Sequence, residues 1–188
     1  MVPEDKMPEA EVTLRLAIAI IEKGHAIAPV VVAIDGAQVK TRATVHFPIV
    51  EFLNDQGWFG NEQASKWQCT YKNENYAQSI VVHSSSGEGD LVAQIKNGRT
   101  LRVESKKGPL SRSRSSQEYP LIREAIGQLM TIEKVNSDDV LAVAVPHSEQ
   151  FSGLAAKWRS RPLMKNAGIH IATVDRNNTI RGLEHVGI

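Results

Sequence analysis

The sequence predicts an α/β protein in which helices flank a mixed central β-sheet. Three observations support this: short apolar runs typical of strands, longer stretches with helical periodicity, and their alternation from residue 80 onward. The resulting order of strand, strand, strand, helix, strand, helix, strand fits a sheet covered by helices. With 188 residues, the chain can bury a substantial core in one domain with a small appendage.

We predict that residues 1–46 form this appendage, an N-terminal helix and hairpin extension. The helical stretch covers 9–23 and ends near Gly24. An apolar run at 30–34 is followed by Asp35-Gly36, a dipeptide typical of hairpin turns. The extension could complete the fold, mediate dimerisation or recognise substrate, and residues 47–188 form the core.

The core begins with a helical stretch at 48–54 and a strand at 80–82. Two further strands, at 90–95 and 99–107, are joined by Lys96-Asn97-Gly98, which indicates a turn. The length of that turn decides which side chains share a face, because a shift of one residue moves every side chain to the other side.

Two registers are compatible with the turn at 96–98. A two-residue Asn-Gly turn would set Asp90 opposite Ser105, whereas a three-residue loop, with Gly98 in a left-handed conformation, sets Asp90 opposite Glu104. Only the second register places Asp90, Glu104 and Lys106 on one polar face. The opposite face is then apolar and consists of Leu91, Ala93, Ile95, Leu101 and Val103. The alternative interpretation is a solvent-exposed amphipathic hairpin whose charges serve only solubility.

The remaining elements follow in order after this pair of strands. A helix is predicted at 116–134, capped by Ser115 or Ser116 and with Pro120 in its first turn. The continuous apolar run at 140–145 is typical of a parallel strand buried on both faces. A second helix covers 148–166, with a break near Pro162, and Gly168 precedes a final strand at 169–174.

Gly89-Asp90 and Glu104-Ser105-Lys106, in this order of elements, resemble the PD-(D/E)XK nuclease superfamily, which has the restriction-endonuclease-like fold. The resemblance covers 47–188. It implies that Asp90 and Glu104 bind a metal ion, that the Ser105 carbonyl also reaches it, and that Lys106 activates the attacking water or stabilises the transition state. Gly89 stands where the family motif has proline.

The resemblance also implies supporting residues on neighbouring helices. Related nucleases often carry a glutamate on the helix before the sheet, for which Glu51 and Glu11 are both candidates. They often carry a glutamine on the helix after the lysine, where Gln128 fits. Solvated helix faces would explain the same residues, because charged and polar side chains are mostly exposed.

The charge distribution favours a nucleic-acid substrate near this site. The net charge of the chain is only +1, but residues 96–134 contain nine basic and four acidic side chains. Lys and Arg contacts to phosphate supply much of the affinity for nucleic acid, so we expect the DNA backbone here. The candidate contacts are Lys107, Arg112 and Arg114.

These patterns together predict a Mg²⁺-dependent endodeoxyribonuclease, in which Mn²⁺ can substitute. A nucleic-acid-binding or assembly module without turnover, or an RNA-cleaving enzyme, would share the same features. A homodimer would allow both strands to be cut. Cys69 is the single cysteine, so no cysteine-based zinc cluster is expected. The sequence has no membrane-spanning apolar run and no clear targeting signal, and we expect a cytoplasmic protein.

Overall fold

The computed structural model describes residues 5–61, 66–85, 87–111 and 117–188. The helices in these ranges are α1 (Glu9–Glu22), α2 (Gly36–Val39), α3 (Ile49–Asp55), α4 (Glu118–Leu129), α5 (Glu149–Arg159) and α6 (Pro162–Ala167), followed by a 3-10 helix (Glu184–Val186). The strands are β1 (Lys6–Met7), β2 (Val30–Ala33), β3 (Lys40–Thr41), β4 (Thr44–Val45), β5 (Phe59–Gly60), β6 (Thr70–Lys72), β7 (Ile80–His83), β8 (Leu91–Gln94), β9 (Thr100–Ser105), β10 (Gly108–Pro109), β11 (Val140–Pro146), β12 (Ile169–Val174) and β13 (Ile180–Arg181).

A mixed sheet forms the centre of the molecule. In the described ranges it has nine strands in the order β13-β12-β11-β9-β8-β2-β7-β6-β5. Strand β11 is parallel to both β9 and β12, and β2 is parallel to β7. The other neighbouring pairs are antiparallel. The predicted α/β class, with a mixed sheet flanked by helices, is confirmed.

Helices cover both faces of the sheet and divide the core in two. Helix α1 packs on the face that carries Leu101 and Val103, within the larger hydrophobic cluster. Helices α4 and α5 pack on the opposite face against Val143 and Ile171. Helix α1 is buried nearly all round because its second half is almost entirely apolar. Each fully buried Leu or Ile stabilises the fold by about 1.5–3 kcal/mol relative to an exposed one.

The hairpin predicted at Asp35-Gly36 is wrong. The Asp35 side chain accepts a hydrogen bond from the backbone N–H of Ala37 and caps α2. The preceding run forms β2, which lies inside the sheet between β7 and β8. Asp-Gly suits a hairpin turn, but Asp is equally favoured as a helix N-cap, and tertiary packing decides between them. The segment predicted as an extension therefore supplies a central strand and a buried helix of the main core.

The predicted three-residue connection between β8 and β9 is confirmed. Leu91 pairs with Val103 and Gln94 with Thr100, and the backbone N–H of Ile95 donates to the Arg99 carbonyl. Gly98 has φ +78°, the left-handed conformation predicted for it. The apolar side chains of both strands are buried under α1, as the three-residue register requires.

The C-terminal half follows the prediction closely, with shorter helices. Helix α4 is shorter than the predicted 116–134 at both ends, and Pro120 lies in its first turn. Residues 115 and 116, the predicted caps, lie outside the described ranges. The predicted break near Pro162 is present, because α6 begins there as a separate helix. The parallel pairing predicted for β11 is confirmed.

Candidate active site

Asp90 and Glu104 meet just beyond the paired residues of β8 and β9. The backbone N–H of Ser105 donates to Asp90 Oδ2 at 2.8 Å, which fixes the Asp90 carboxyl group. A side-chain hydrogen bond joins the Glu104 and Asp90 carboxyl groups; it raises the pKa of Glu104 and lowers that of Asp90. The two acids are therefore neighbours, as the sequence-predicted register requires.

Gly89 holds the backbone in a conformation that few other residues could adopt. Its φ is +99°, and a Cβ atom at this position would lie 3.0 Å from the Val103 carbonyl oxygen. The next backbone N–H, that of Asp90, donates to the same oxygen at 2.8 Å. The lack of a side chain at Gly89 thus allows the close approach that brings Asp90 to the end of β9. Proline cannot adopt a positive φ, so this backbone excludes proline at position 89.

Both carboxyl groups have raised pKa values. Burial raises the pKa of Asp90 to about 6, Glu9 adds to the rise, and the Ser105 N–H and Lys106 oppose it. Burial also raises the pKa of Glu104 to about 7, with further contributions from the charges of Asp90 and Glu9. Each group resists ionisation because the charged form is poorly solvated and faces another acid.

Lys106 is the cation of this site and is almost fully buried. Its backbone N–H donates to the Ala144 carbonyl at 2.9 Å, so the neighbouring parallel strand β11 fixes its position. Its ammonium Nζ lies 3.3 Å from Glu124 Oε1 and 3.7 Å from Glu9 Oε2. Its charge also lowers the pKa values of Asp90 and Glu104. Lys106 thus lies among four carboxyl groups.

Glu9, in the first turn of α1, belongs to this cluster but was not singled out from the sequence. Its Oε1 accepts a hydrogen bond from Gln38 Nε2 at 2.8 Å, and its charge raises the pKa values of both Asp90 and Glu104. Its position as the first residue of a predicted helix that runs into the core was an available signal. Nothing local distinguishes it from Glu11, because only the packing of α1 on the sheet decides which glutamate faces the site.

The two glutamates predicted as supporting residues lie elsewhere. Glu11 is buried and forms ion pairs with Arg15 at 2.8 Å and with Arg176 at 3.1 Å. Glu51 is exposed on α3. Side chains two residues apart on a helix point in different directions, so Glu9 and Glu11 serve different environments.

A cavity of about 470 Å³ opens onto the two acids. Gln128 lies on its wall, one helical turn after Glu124, so α4 presents both residues to the site. The remaining walls come from the end of β2 and the residues after it, from α2, from the loop before β8 and from the residues after α4; they include Ala33, Ile34, Asp35, Gln38, Ser84, Ser85, Gly87, Thr131 and Ile132. The cavity gives a substrate access to the carboxyl groups.

The other predicted site residues have varied positions. The backbone of Ser105 contacts Asp90, while its hydroxyl is buried without a hydrogen-bond partner in the described part of the protein. Lys107 is exposed and lines a second cavity beside the first. Arg112 and Arg114 lie outside the described ranges.

The donor set at Asp90 and Glu104 fits a hard divalent cation. Within residues 5–61, 66–85, 87–111 and 117–188, no cluster of three or more His, Cys, Asp or Glu side chains has the geometry to hold a metal. Mg²⁺, however, is commonly held by one or two carboxylates together with waters and substrate phosphates. Two adjacent carboxyl groups that share a proton can exchange it for a cation, whose charge would offset their repulsion. Two ligands are therefore chemically sufficient.

No protein-family model, curated protein or solved structure matches the chain. The described helices include none that is long and apolar enough to cross a membrane.

Proposed function

We propose that the protein is a metal-dependent endonuclease with a restriction-endonuclease-like fold that hydrolyses phosphodiester bonds in DNA. The observation that supports this most strongly is the pair of adjacent carboxyl groups, Asp90 and Glu104, beside the buried ammonium of Lys106. Buried acids with raised pKa values that line an open cavity are typical of functional sites. In this proposal Mg²⁺ is the cofactor and Mn²⁺ can replace it.

Each residue has a distinct role in the proposed reaction. Asp90 and Glu104 bind the cation, which supplies Lewis acidity and a water of lowered pKa. Lys106 supplies positive charge where the pentacovalent phosphate gains negative charge in the transition state. Glu9 and Glu124 are positioning residues, because their carboxylates hold the Lys106 ammonium beside the acids. Gln128 lies on the cavity wall, where its amide can hydrogen-bond to the substrate.

The substrate is proposed to be DNA because basic side chains exceed acidic ones in the segment around the site. Residues 96–134 contain nine basic and four acidic side chains. Exposed members of this set, such as Lys107, would contact phosphates beside the bond to be cut and make binding sensitive to salt, whereas Arg102 is buried and paired with Asp139. The phosphate chemistry is the same for RNA, so both nucleic acids belong in the test.

The direct test is to incubate the purified protein with plasmid DNA, linear DNA and RNA in Mg²⁺, Mn²⁺ or EDTA. We expect DNA cleavage with either cation and none in EDTA. Asp90→Ala and Lys106→Ala should abolish it, whereas Asp55→Ala, which changes an exposed acid on α3, should cut like the native chain. Absence of cleavage by native protein, or equal cleavage by Asp90→Ala, would refute the proposal. Metal-independent binding without cleavage would instead favour a non-catalytic binding module.

A further inference from the structure

A second cavity, of about 620 Å³, adjoins the one at the carboxyl groups. Gln38 lines both cavities, and its side chain donates to Glu9, which borders the second cavity and contacts Lys106. The Gln38–Glu9 hydrogen bond therefore forms part of the boundary between them. A ligand in the second cavity would lie next to any phosphate held at Asp90 and Glu104.

The walls of the second cavity are largely apolar and its size suits a small organic group. Pockets for small ligands are typically about 300–1,000 Å³, with mostly apolar walls and a few polar groups. The apolar side chains here are Met7, Pro8, Ala10, Ala37, Pro109 and Leu121. The amides of Gln38 and Gln117 supply hydrogen-bond donors and acceptors. An aromatic heterocycle with polar edges matches this combination.

Positive charge surrounds the same cavity. Lys6 and Lys107 are exposed, and within the described ranges neither ammonium group has a carboxylate at ion-pair distance. His46 adds an imidazole. Glu9 is the acidic residue on this wall, and it is already engaged by Gln38 and Lys106. A phosphate group would complement the two lysines. A purely anionic ligand would leave the apolar walls without a partner, and a neutral apolar ligand would leave the lysines without one.

Lys106 and Lys107 connect the two cavities through consecutive residues. Lys106 contacts the acidic cluster, while Lys107 lines the second cavity. A nucleic-acid strand that passes from one cavity to the other would meet Lys107 at the second cavity, while Lys106 acts on the acids from its buried position.

We propose that the second cavity binds one unpaired nucleotide of the substrate strand, adjacent to the phosphate that is cut. The base lies among the apolar walls, and its phosphate contacts Lys6 and Lys107. A base enclosed in this way cannot remain stacked and paired in a duplex. The preferred substrate is therefore single-stranded DNA, or DNA opened at the cutting site. This inference rests on the proposed function, because it assigns the substrate class for the same site.

Binding in EDTA tests the inference without relying on cleavage. We would measure the fluorescence anisotropy of a labelled single-stranded oligonucleotide and of the corresponding duplex with native protein. Ala37→Trp fills the cavity from an exposed position on α2, and Ala156→Trp is the matched control on an exposed position of α5. We expect Ala37→Trp to weaken single-strand binding about tenfold, within the range for loss of a base-stacking contact. Ala156→Trp should bind like the native chain.

If circular dichroism shows that Ala37→Trp does not fold, a charge variant provides a second test of the nucleotide site. The double variant Lys6→Gln/Lys107→Gln should lower single-strand affinity and reduce its dependence on salt, since two phosphate contacts are lost. Tighter binding of the duplex than of the single strand, or native affinity in these variants, would overturn the inference. If the second cavity instead binds an apolar protein segment, these variants should bind single-stranded DNA with native affinity.

The cleavage assay separates failure of this inference from failure of the proposed function. If native protein cuts no DNA but Ala37→Trp still weakens single-strand binding, the nucleotide site stands and the catalytic proposal falls. If native protein cuts DNA and the cavity variants bind single-stranded DNA with native affinity, the catalytic proposal stands and the nucleotide site falls.

Discussion

The carboxyl groups of Asp90 and Glu104 are joined by a hydrogen bond just beyond the β8–β9 ladder, and this bond lowers the pKa of Asp90 and raises that of Glu104. The three-residue loop at 96–98 sets the register, and Gly89 allows the close backbone approach. Two neighbouring carboxylates in a poorly solvated position repel each other. A cation that replaced the proton would relieve this repulsion, which links the stability of the protein to its proposed cofactor.

Asp90→Asn should stabilise the metal-free protein while abolishing the proposed cleavage of DNA. Asparagine has a similar shape and can still accept a hydrogen bond from the Ser105 N–H, but it removes a charge from a half-buried, poorly solvated position. The pKa of Asp90 is raised from 3.8 to about 6, so we expect a gain on the order of 2 kcal/mol at pH 8. For a protein of this size this corresponds to a melting temperature roughly 4–8 °C higher. Thermal unfolding in EDTA would measure it, and a lower melting temperature would contradict the account.

Stabilisation by Mg²⁺ should disappear as the pH is lowered. The folded-state pKa values of Asp90 and Glu104 are raised, so the folded protein holds protons that the unfolded chain releases. In metal-free protein these groups make stability fall as pH rises from about 4 to about 7. A cation must displace the same protons, so its binding strengthens over this window. Added Mg²⁺ should raise the melting temperature at pH 8 and leave it unchanged at pH 5. Equal stabilisation at both pH values would argue against binding at these acids.

Lys106→Met should reduce cleavage about 100-fold or more, by analogy with the loss of a single group that stabilises transition-state charge. Metal binding should survive, because both carboxylates remain. The matched control is Lys165→Met, which changes an exposed lysine on α6. Single-turnover cleavage with saturating DNA would compare them. If the two variants were equally active, Lys106 would have no role in the chemical step.

Glu9 and Glu11 provide a matched pair of substitutions on one helix. Glu9→Gln removes a charge that raises the pKa values of Asp90 and Glu104, so the acid limb of the pH–activity profile should shift to lower pH. Glu11→Gln breaks buried ion pairs with Arg15 and Arg176 and should cost about 3 kcal/mol in unfolding free energy. Glu11→Gln should leave the pH–activity profile unchanged. Denaturant unfolding and pH–rate measurements on both variants would check this, and a profile shift in Glu11→Gln alone would reverse the assignment.

Local patterns predicted much of the fold, because they reflect local physical requirements. The apolar run of β11 predicted a buried parallel strand, and Gly98 predicted the loop that sets the Asp90–Glu104 register. Pro162 predicted the break between α5 and α6. In each case the signal lies within the predicted segment or a few residues from it.

Long-range packing decided the features that the sequence analysis missed. Asp35-Gly36 suits both a hairpin and a helix cap, and the insertion of β2 between β7 and β8 selects the cap. Glu9 reaches the site only because α1 lies across the sheet with its first turn beside Lys106. Neither result follows from spacing, since both depend on contacts between segments far apart in the chain.

The central claim is that Asp90 and Glu104 bind a divalent cation together. Crystals of the native protein soaked in Mn²⁺ would test it through anomalous scattering, with Asp90→Asn crystals treated in the same way as the control. The account predicts an anomalous peak bonded to both carboxylates in the native protein and a strongly reduced one in the variant. An Asp90 side chain turned away from Glu104, or the absence of a peak between the two acids, would contradict it.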